Sequence, residues 1–171
     1  MAVILFTTFA PVIFYDPLTY IKDDYNNTYT VRHCSTNYSG EVKIPSTYNG
    51  LPVERIGDEA FAFCTKLTSV EIGEGITVLG NFCTFYHCSS LESVVIPSSA
   101  TCIGLSAFEG CSSLTSVYYK GTEADWQDIT IVASEHDEIL KATRYYYSES
   151  EPTDEGNYWH YDADGNVAVW E

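Results

Sequence analysis

Ala107-Phe108-Glu109-Gly110-Cys111-Ser112-Ser113-Leu114-Thr115-Ser116-Val117 decides how the chain is built, because most of it occurs earlier in the same sequence. One period upstream, Cys88-Ser89-Ser90-Leu91-Glu92-Ser93-Val94-Val95-Ile96-Pro97 repeats its second half. One period earlier still, Ala60-Phe61 leads to Cys64 and then to Leu67, Val70 and Ile72. The three cysteines stand 24 and 23 residues apart. Each follows an Ile-Gly or Leu-Gly pair (Ile56-Gly57, Leu79-Gly80, Ile103-Gly104), and each precedes a Leu-x-x-Val run that ends on Ile72, Ile96 or Tyr119.

A fixed period of this length makes one repeat one coil, within the roughly 20–29 residues of leucine-rich repeats. The L-x-x-V-x-I run forms a short parallel strand with its apolar residues inward. The Ala-Phe segment crosses the opposite wall, and the glycine permits a tight turn. No coil buries its apolar face alone, so neighbours stack. The middle coil has 8 positions from Gly80 to Cys88, where its neighbours have 7, which predicts a bulge near Asn81 to Thr84. A degenerate first coil lies in Glu41 to Pro45 and Leu51 to Gly57, joined by the Asn49-Gly50 reversal. Beyond residue 120 the repeat stops. Thr122-x-x-Asp125 reads as a helix cap leading to Trp126, and Ile129 to Ile131 reads as a strand. Ser134 to Asp137 opens a second helix ending near Ala142. Arg144 to Tyr147 is a strand, and Tyr158 to Trp170 a hairpin. The expected fold is a mostly β leucine-rich-repeat solenoid of about four coils with an α+β C-terminal cap. Its divisions are an N-terminal cap over 1–40, repeats over 41–120 and the C-terminal cap over 121–171.

The repeated Ile-Gly…Ala-Phe…Cys-Ser-Ser-Leu…Ser-Val…Ile-Pro pattern closely resembles the BspA-like (Treponema pallidum-type) bacterial surface leucine-rich repeat family. Ile44-Pro45-Ser46-Thr47-Tyr48-Asn49-Gly50-Leu51-Pro52-Val53 is similar to that family's opening coil. Tyr118 to Trp126 and Gly156 to Tyr161 are similar to its closing segment, so the resemblance covers roughly residues 28–171. It implies a solenoid on or outside the cell, with adhesion or protein binding known for some members. It supplies no catalytic residues.

The charge excludes some classes of partner. The net charge is −16, with 24 acidic and 8 basic side chains. That disfavours nucleic acid, whose phosphates need clustered Lys and Arg, and it disfavours an anionic membrane surface. The acidity is uneven: residues 1–120 are net −5 and residues 121–171 net −11. Val3 to Phe14 is an apolar run too short for the roughly 20 residues of a membrane span. No Lys or Arg precedes Lys22 and no A-x-A cleavage site follows, so a capping strand bent at Pro11 is expected in place of a cleaved signal.

The residues that tempt a chemical reading have plainer ones. Cys64, Cys88 and Cys111 share one repeat position and should form an inward ladder of free thiols. Cys102 aligns with Val78 and should also be core. Cys83, His87 and Cys88 lack the four ligands of a zinc signature, and no orienting acid marks a Cys-His nucleophile. Asp162-Ala163-Asp164-Gly165-Asn166 begins like a calcium loop, but Asp-Gly between strands is a strong hairpin turn signal. No cofactor, metal or enzymatic activity is expected. What remains is a surface. Along the repeat strands the outward residue gives the column Lys43, Glu71, Val95, Tyr118, beside a second column Glu41, Ser69, Ser93, Ser116. Tyr145 to Tyr147, Trp159 and Trp170 either extend this face or pack the end piece. The expected function is a non-catalytic interaction module recognising an extracellular protein or glycan. Its rival is a structural spacer or assembly component.

Overall fold

The computed structural model describes residues 16–170, so the apolar opening Val3 to Phe14 and the capping role expected of it lie outside the described residues. In chain order the strands are β1 (Leu18–Asp23), β2 (Thr28–Cys34), β3 (Gly40–Ile44), β4 (Thr47–Tyr48), β5 (Leu51–Ile56), β6 (Leu67–Ile72) and β7 (Val78–Phe82). They continue as β8 (Ser93–Ile96), β9 (Cys102–Leu105), β10 (Ser116–Tyr119), β11 (Thr130–Ile131), β12 (Thr143–Tyr147), β13 (Tyr158–Tyr161) and β14 (Val167–Val169). One short helix, α1 (Glu123–Gln127), and a single 3-10 turn, Glu138–Leu140, complete the described chain.

The L-x-x-V-x-I runs form the expected parallel strands. They stack as β3, β6, β8 and β10, and β12 from the closing segment adds a fifth rung. Leu67, Val70 and Ile72 are buried and the residues between them half-exposed; from Val70 to Ile72 this is the alternation of a strand with one wet face. The opposite wall differs from expectation. The segments read as glycine turns are strands of a second sheet, in the order β1, β2, β5, β7, β9, β11, with β4 set against β5. Gly80 has φ +63, as expected of a turn glycine, but the other two are required for a different reason. Gly57 and Gly104 do not have positive φ, but the next backbone is too close for a side chain. A Cβ on Gly104 would lie 2.4 Å from the carbonyl carbon of Asn81, and one on Gly57 3.0 Å from the Val31 oxygen. The extra residue of the middle coil is absorbed as expected, by a register shift between Leu79 and Phe82 where β7 pairs β9.

Between the walls lies the core. Phe61, Phe85 and Phe108 are fully buried and stack at 4.8 and 4.9 Å between ring centroids. Cys64, Cys88 and Cys111 are fully buried free thiols, the inward ladder the repeat implied. Their sulfurs reach backbone carbonyls of the preceding coil, Cys88 to Phe61 at 3.0 Å and Cys111 to Phe85 at 3.1 Å. Cys34 continues the ladder at the N-terminal end: it is fully buried, and the Cys64 thiol lies 3.8 Å from its carbonyl oxygen. Its spacing of 30 residues from Cys64 hid it from a search at 23 or 24. Cys102 corrects the expectation. It does pair with Val78, but both are half-exposed on the outer side of the second sheet.

The last repeat closes through side chains. In the interior, Phe61 and Phe85 donate their N–H groups to Thr84 and Ala107 of the next coil, and His87 donates to Glu109. Phe108 and Gly110 have no further repeat to meet. They donate to the carboxylates of Asp137 (3.4 Å) and Glu138 (2.9 Å). Asp137 is completely buried, and burial raises its carboxyl above the ordinary aspartate range. It also caps the 3-10 turn by accepting from Ile139 N. The second helix expected from Ser134 is thus one turn beginning after Asp137. The Thr122/Asp125 capping box of α1 forms as read, and seats Trp126 in the core.

Candidate interaction surface

The column read from the repeat is realised in register. Lys43 pairs with Glu71, Glu71 with Val95, and Val95 with Tyr118 across β3, β6, β8 and β10. Tyr145 of β12 extends it, with its ring stacked on Tyr118 at 5.2 Å. The second column, Glu41, Ser69, Ser93 and Ser116, runs beside it and continues to Thr143.

What the spacing could not show is where the terminal hairpin goes. β13 joins the sheet beside β12, which turns Trp159 and Tyr161 to the same face as the column. The hairpin lies against β6, β8 and β10: Tyr161 meets Glu71, Trp159 meets Tyr118, and Gly165 to Val167 line one crevice with Ser93 and Val95. Trp159 is fully buried among Tyr118, Tyr147 and Tyr161, whose centroids lie 5.7, 5.2 and 5.0 Å from it. Its Nε1–H donates to the Tyr119 carbonyl at 2.9 Å. Trp159 and Val95 lie outside the main core, so this is a second apolar cluster on the sheet's outer face. Trp170 stays at the rim, half-exposed, stacked on His160 and donating to Ser148 O.

Glu71 fastens the hairpin to the repeats. Its carboxylate accepts from the Tyr161 hydroxyl at 2.5 Å and meets Lys120 Nζ at 3.3 Å and Lys43 Nζ at 3.1 Å. Lys120 also lies 5.3 Å from the Tyr161 ring. Burial works against ionisation of Glu71, but Tyr161, Lys43 and Lys120 outweigh it and hold the carboxyl below the ordinary glutamate range. Burial and the same carboxylate push the Tyr161 hydroxyl upward. Val95, read as an outward contact, is only 5% exposed. Between hairpin and sheet remains an open crevice of about 150 Å³, lined by Glu41, Lys43, Ser69, Ser93, Asn166 and Val167 among others. Of the four column residues, Lys43 stays exposed while Glu71 and Tyr118 are half-buried.

The other sequence candidates are not brought together. Cys88 points into the core, whereas His87 is exposed with its ring stacked on Phe63 at 5.6 Å. Among the described residues no three His, Cys, Asp or Glu side chains converge as metal ligands. Asp162 to Asn166 forms the hairpin turn. Gly165 has φ +80, and the Asp162 carboxylate accepts from the backbone of Asp164 (2.9 Å) and Asn166 (2.8 Å). Those bonds hold Asp162 below the ordinary aspartate range.

The model of the BspA type leucine rich repeat region, in 6 copies, matches residues 28–130. The chain belongs to the BspA-type leucine-rich repeat family. Among solved structures the fold is similar to the T. pallidum leucine rich repeat protein (TM-score 0.52, 19% identity, covering 77% of this chain and 69% of that one). It is also similar to a leucine rich cell surface protein from Faecalibacterium prausnitzii (TM-score 0.50, 23% identity, covering 90% of this chain and 59% of that one). No curated protein matches significantly. Two sheets, parallel across the repeats, around a thiol and phenylalanine core are thus the BspA-type coil in this chain.

Proposed function

We propose that this BspA-type domain is a non-catalytic interaction module outside the cell, recognising a protein or glycan at the strand face of the repeats. The observation that carries this reading is the in-register column Lys43, Glu71, Val95, Tyr118 and Tyr145, flanked by a row of hydroxyls and ending at a crevice under the hairpin. Such a face offers charges of both signs, and tyrosines give rigid contact area with polar tips. The family and the cell-surface relative support an extracellular setting. The crevice adds a groove to what would otherwise be a flat sheet, and concave surfaces are where ligands gain most contact.

The rival reading, a structural spacer, is favoured by one observation: the chain covers part of this face itself, burying Val95 and Trp159. A screen of the purified protein against host matrix proteins and a glycan array, with calcium and with chelator, finds the partner. Titrating it against Tyr118→Ala and Glu71→Lys then separates the readings. A binder loses affinity with Tyr118→Ala, whereas a spacer does not; a loss with Glu71→Lys counts only if hairpin exchange is unchanged, because Glu71 also fastens the hairpin. Lys43→Glu tests the exposed end of the column with the least disturbance to the fold, since that side chain is 63% exposed.

A further inference from the structure

The second sheet carries a different feature on its outer face. The chain carries 24 acidic and 8 basic side chains. Lys22, Lys43 and Lys120 have carboxylates within 4 Å, and Arg144 lies 5.7 Å from the Trp126 ring. Arg32 and Arg55 have no ion-pair or hydrogen-bond partner among the described residues, yet they stand together. Pairing of Thr30 with Arg55 and Val31 with Ile56 sets Arg32 beside Gly57 and diagonal to Arg55, on neighbouring strands. Val31 and Ile56 are buried, so both arginines leave the outer face of the sheet, where both are exposed.

They line one crevice of about 300 Å³ with Ile21, Thr30, Ile56, Gly57, Asp58 and Asn81. Gly57 contributes no side chain to the floor. Asp58 is the nearest acid in the crevice and is committed elsewhere: it accepts from the Asn81 backbone at 2.5 Å and from its side-chain amide at 3.3 Å. Ile21, 55% exposed on β1, gives the crevice an apolar flank. Two like charges side by side repel unless something anionic joins them, and the guanidinium fork matches a planar or tetrahedral oxyanion in a bidentate manner.

We propose that Arg32 and Arg55 form a binding site for a single oxyanionic group (sulfate, phosphate or carboxylate) carried on a small acidic ligand whose apolar part lies against Ile21. The chain's net charge of −16 restricts the site to ligands of low charge. A polyanion that tracks along a surface would be repelled by the carboxylates around it. This site is on the opposite wall from the strand-face column, so it stands or falls independently of the function proposed above.

The test is an NMR titration of the intact chain in low salt with three probes that carry the oxyanion on an apolar ring: phenyl sulfate, phenyl phosphate and benzoate. Saturable shifts at the amides of Thr30, Gly57 and Asn81 are expected, and the tightest probe identifies the oxyanion. Arg32→Gln/Arg55→Gln should weaken binding at least tenfold. Lys66→Gln/Lys141→Gln, an equal charge change at two exposed lysines elsewhere, should weaken it less than twofold. The absence of saturable binding by all three probes would overturn the proposal, and so would equal losses in the two double variants. Arg55→Lys separates charge from geometry, because a point charge without the fork recovers only part of the affinity.

Discussion

Replacing Glu71 with alanine should release the terminal hairpin while leaving the solenoid folded. The carboxylate is the meeting point of Tyr161, Lys120 and Lys43, and its side chain is 20% exposed. The Lys43 pair is open to water and contributes about 0–1 kcal/mol. The Tyr161 hydroxyl donates to an ionised acceptor in a half-buried setting, a bond of about 1.5–3 kcal/mol. Lys120, 17% exposed, would lose its partner and keep its desolvation. These contributions share one carboxylate and do not add in full, so a total of about 2–3 kcal/mol is expected. Because none of the partners lies in the main core, the loss should be local. Hydrogen exchange is the direct assay. Amides of β13 and β14 should exchange roughly thirtyfold to a hundredfold faster in the variant, since about 1.4 kcal/mol is a factor of ten. Amides of β6, β8 and β10 should change far less. Hairpin exchange within twofold of the parent would refute the reasoning, and so would an equal acceleration throughout the chain.

The same carboxylate sets a pH dependence. Because its folded-state pKa is depressed, its contribution is full above the ordinary glutamate range and disappears as pH falls through the folded value. Hairpin exchange, corrected for intrinsic rates, should accelerate on acidification in the parent and not in Glu71→Gln. Asp137 behaves oppositely: its raised pKa makes its charged form a cost that grows as pH rises through the folded value. Asp137→Asn keeps one acceptor oxygen for the two N–H groups of Phe108 and Ile139 and turns its NH2 toward the other, so it should lower the urea midpoint, but less than Asp137→Ala. Asp137→Ala leaves buried amides of the last coil without a partner and should cost about 1–3 kcal/mol in urea unfolding. Gly104→Ala drives a methyl into the Asn81 backbone and should cost about 1–3 kcal/mol or more by the same measurement. A thiol reagent should modify only Cys83 and Cys102 in the native protein. The four ladder cysteines should react after denaturation, and a buried rung that reacts in native buffer would contradict the packing.

The repeat was legible because burial forces it. Leu67, Leu91 and Leu114, with Val70, Val94 and Val117, recur every 23 or 24 residues since each must face the same core. That periodicity is enough to place the outward column in register. It failed where function of position changes without a change of letter. The Ile-Gly and Leu-Gly segments look like turns in sequence, yet they lie in or beside strands; Gly57 and Gly104 answer to a neighbouring backbone, and Gly80 alone keeps the left-handed φ of a turn. Cys34 lies outside the period, so its place on the ladder is a tertiary fact. The fold-back of the hairpin is another. Trp159 and Tyr161 show alternation and aromatic character, which fit a surface or a cluster equally well. Only a contact spanning 90 residues, between Tyr161 and Glu71, decides between them.

The carboxylates of Asp137 and Glu138 accept the N–H groups that inner coils give to the carbonyls of their successors. To the last repeat, then, the end of the array is chemically the same as another repeat. A whole coil of 23 or 24 residues could be duplicated or deleted upstream while the terminus met an unaltered set of donors. In that sense the closing segment works like a plug on a standard socket, leaving the length of the array free to vary while its end stays fixed.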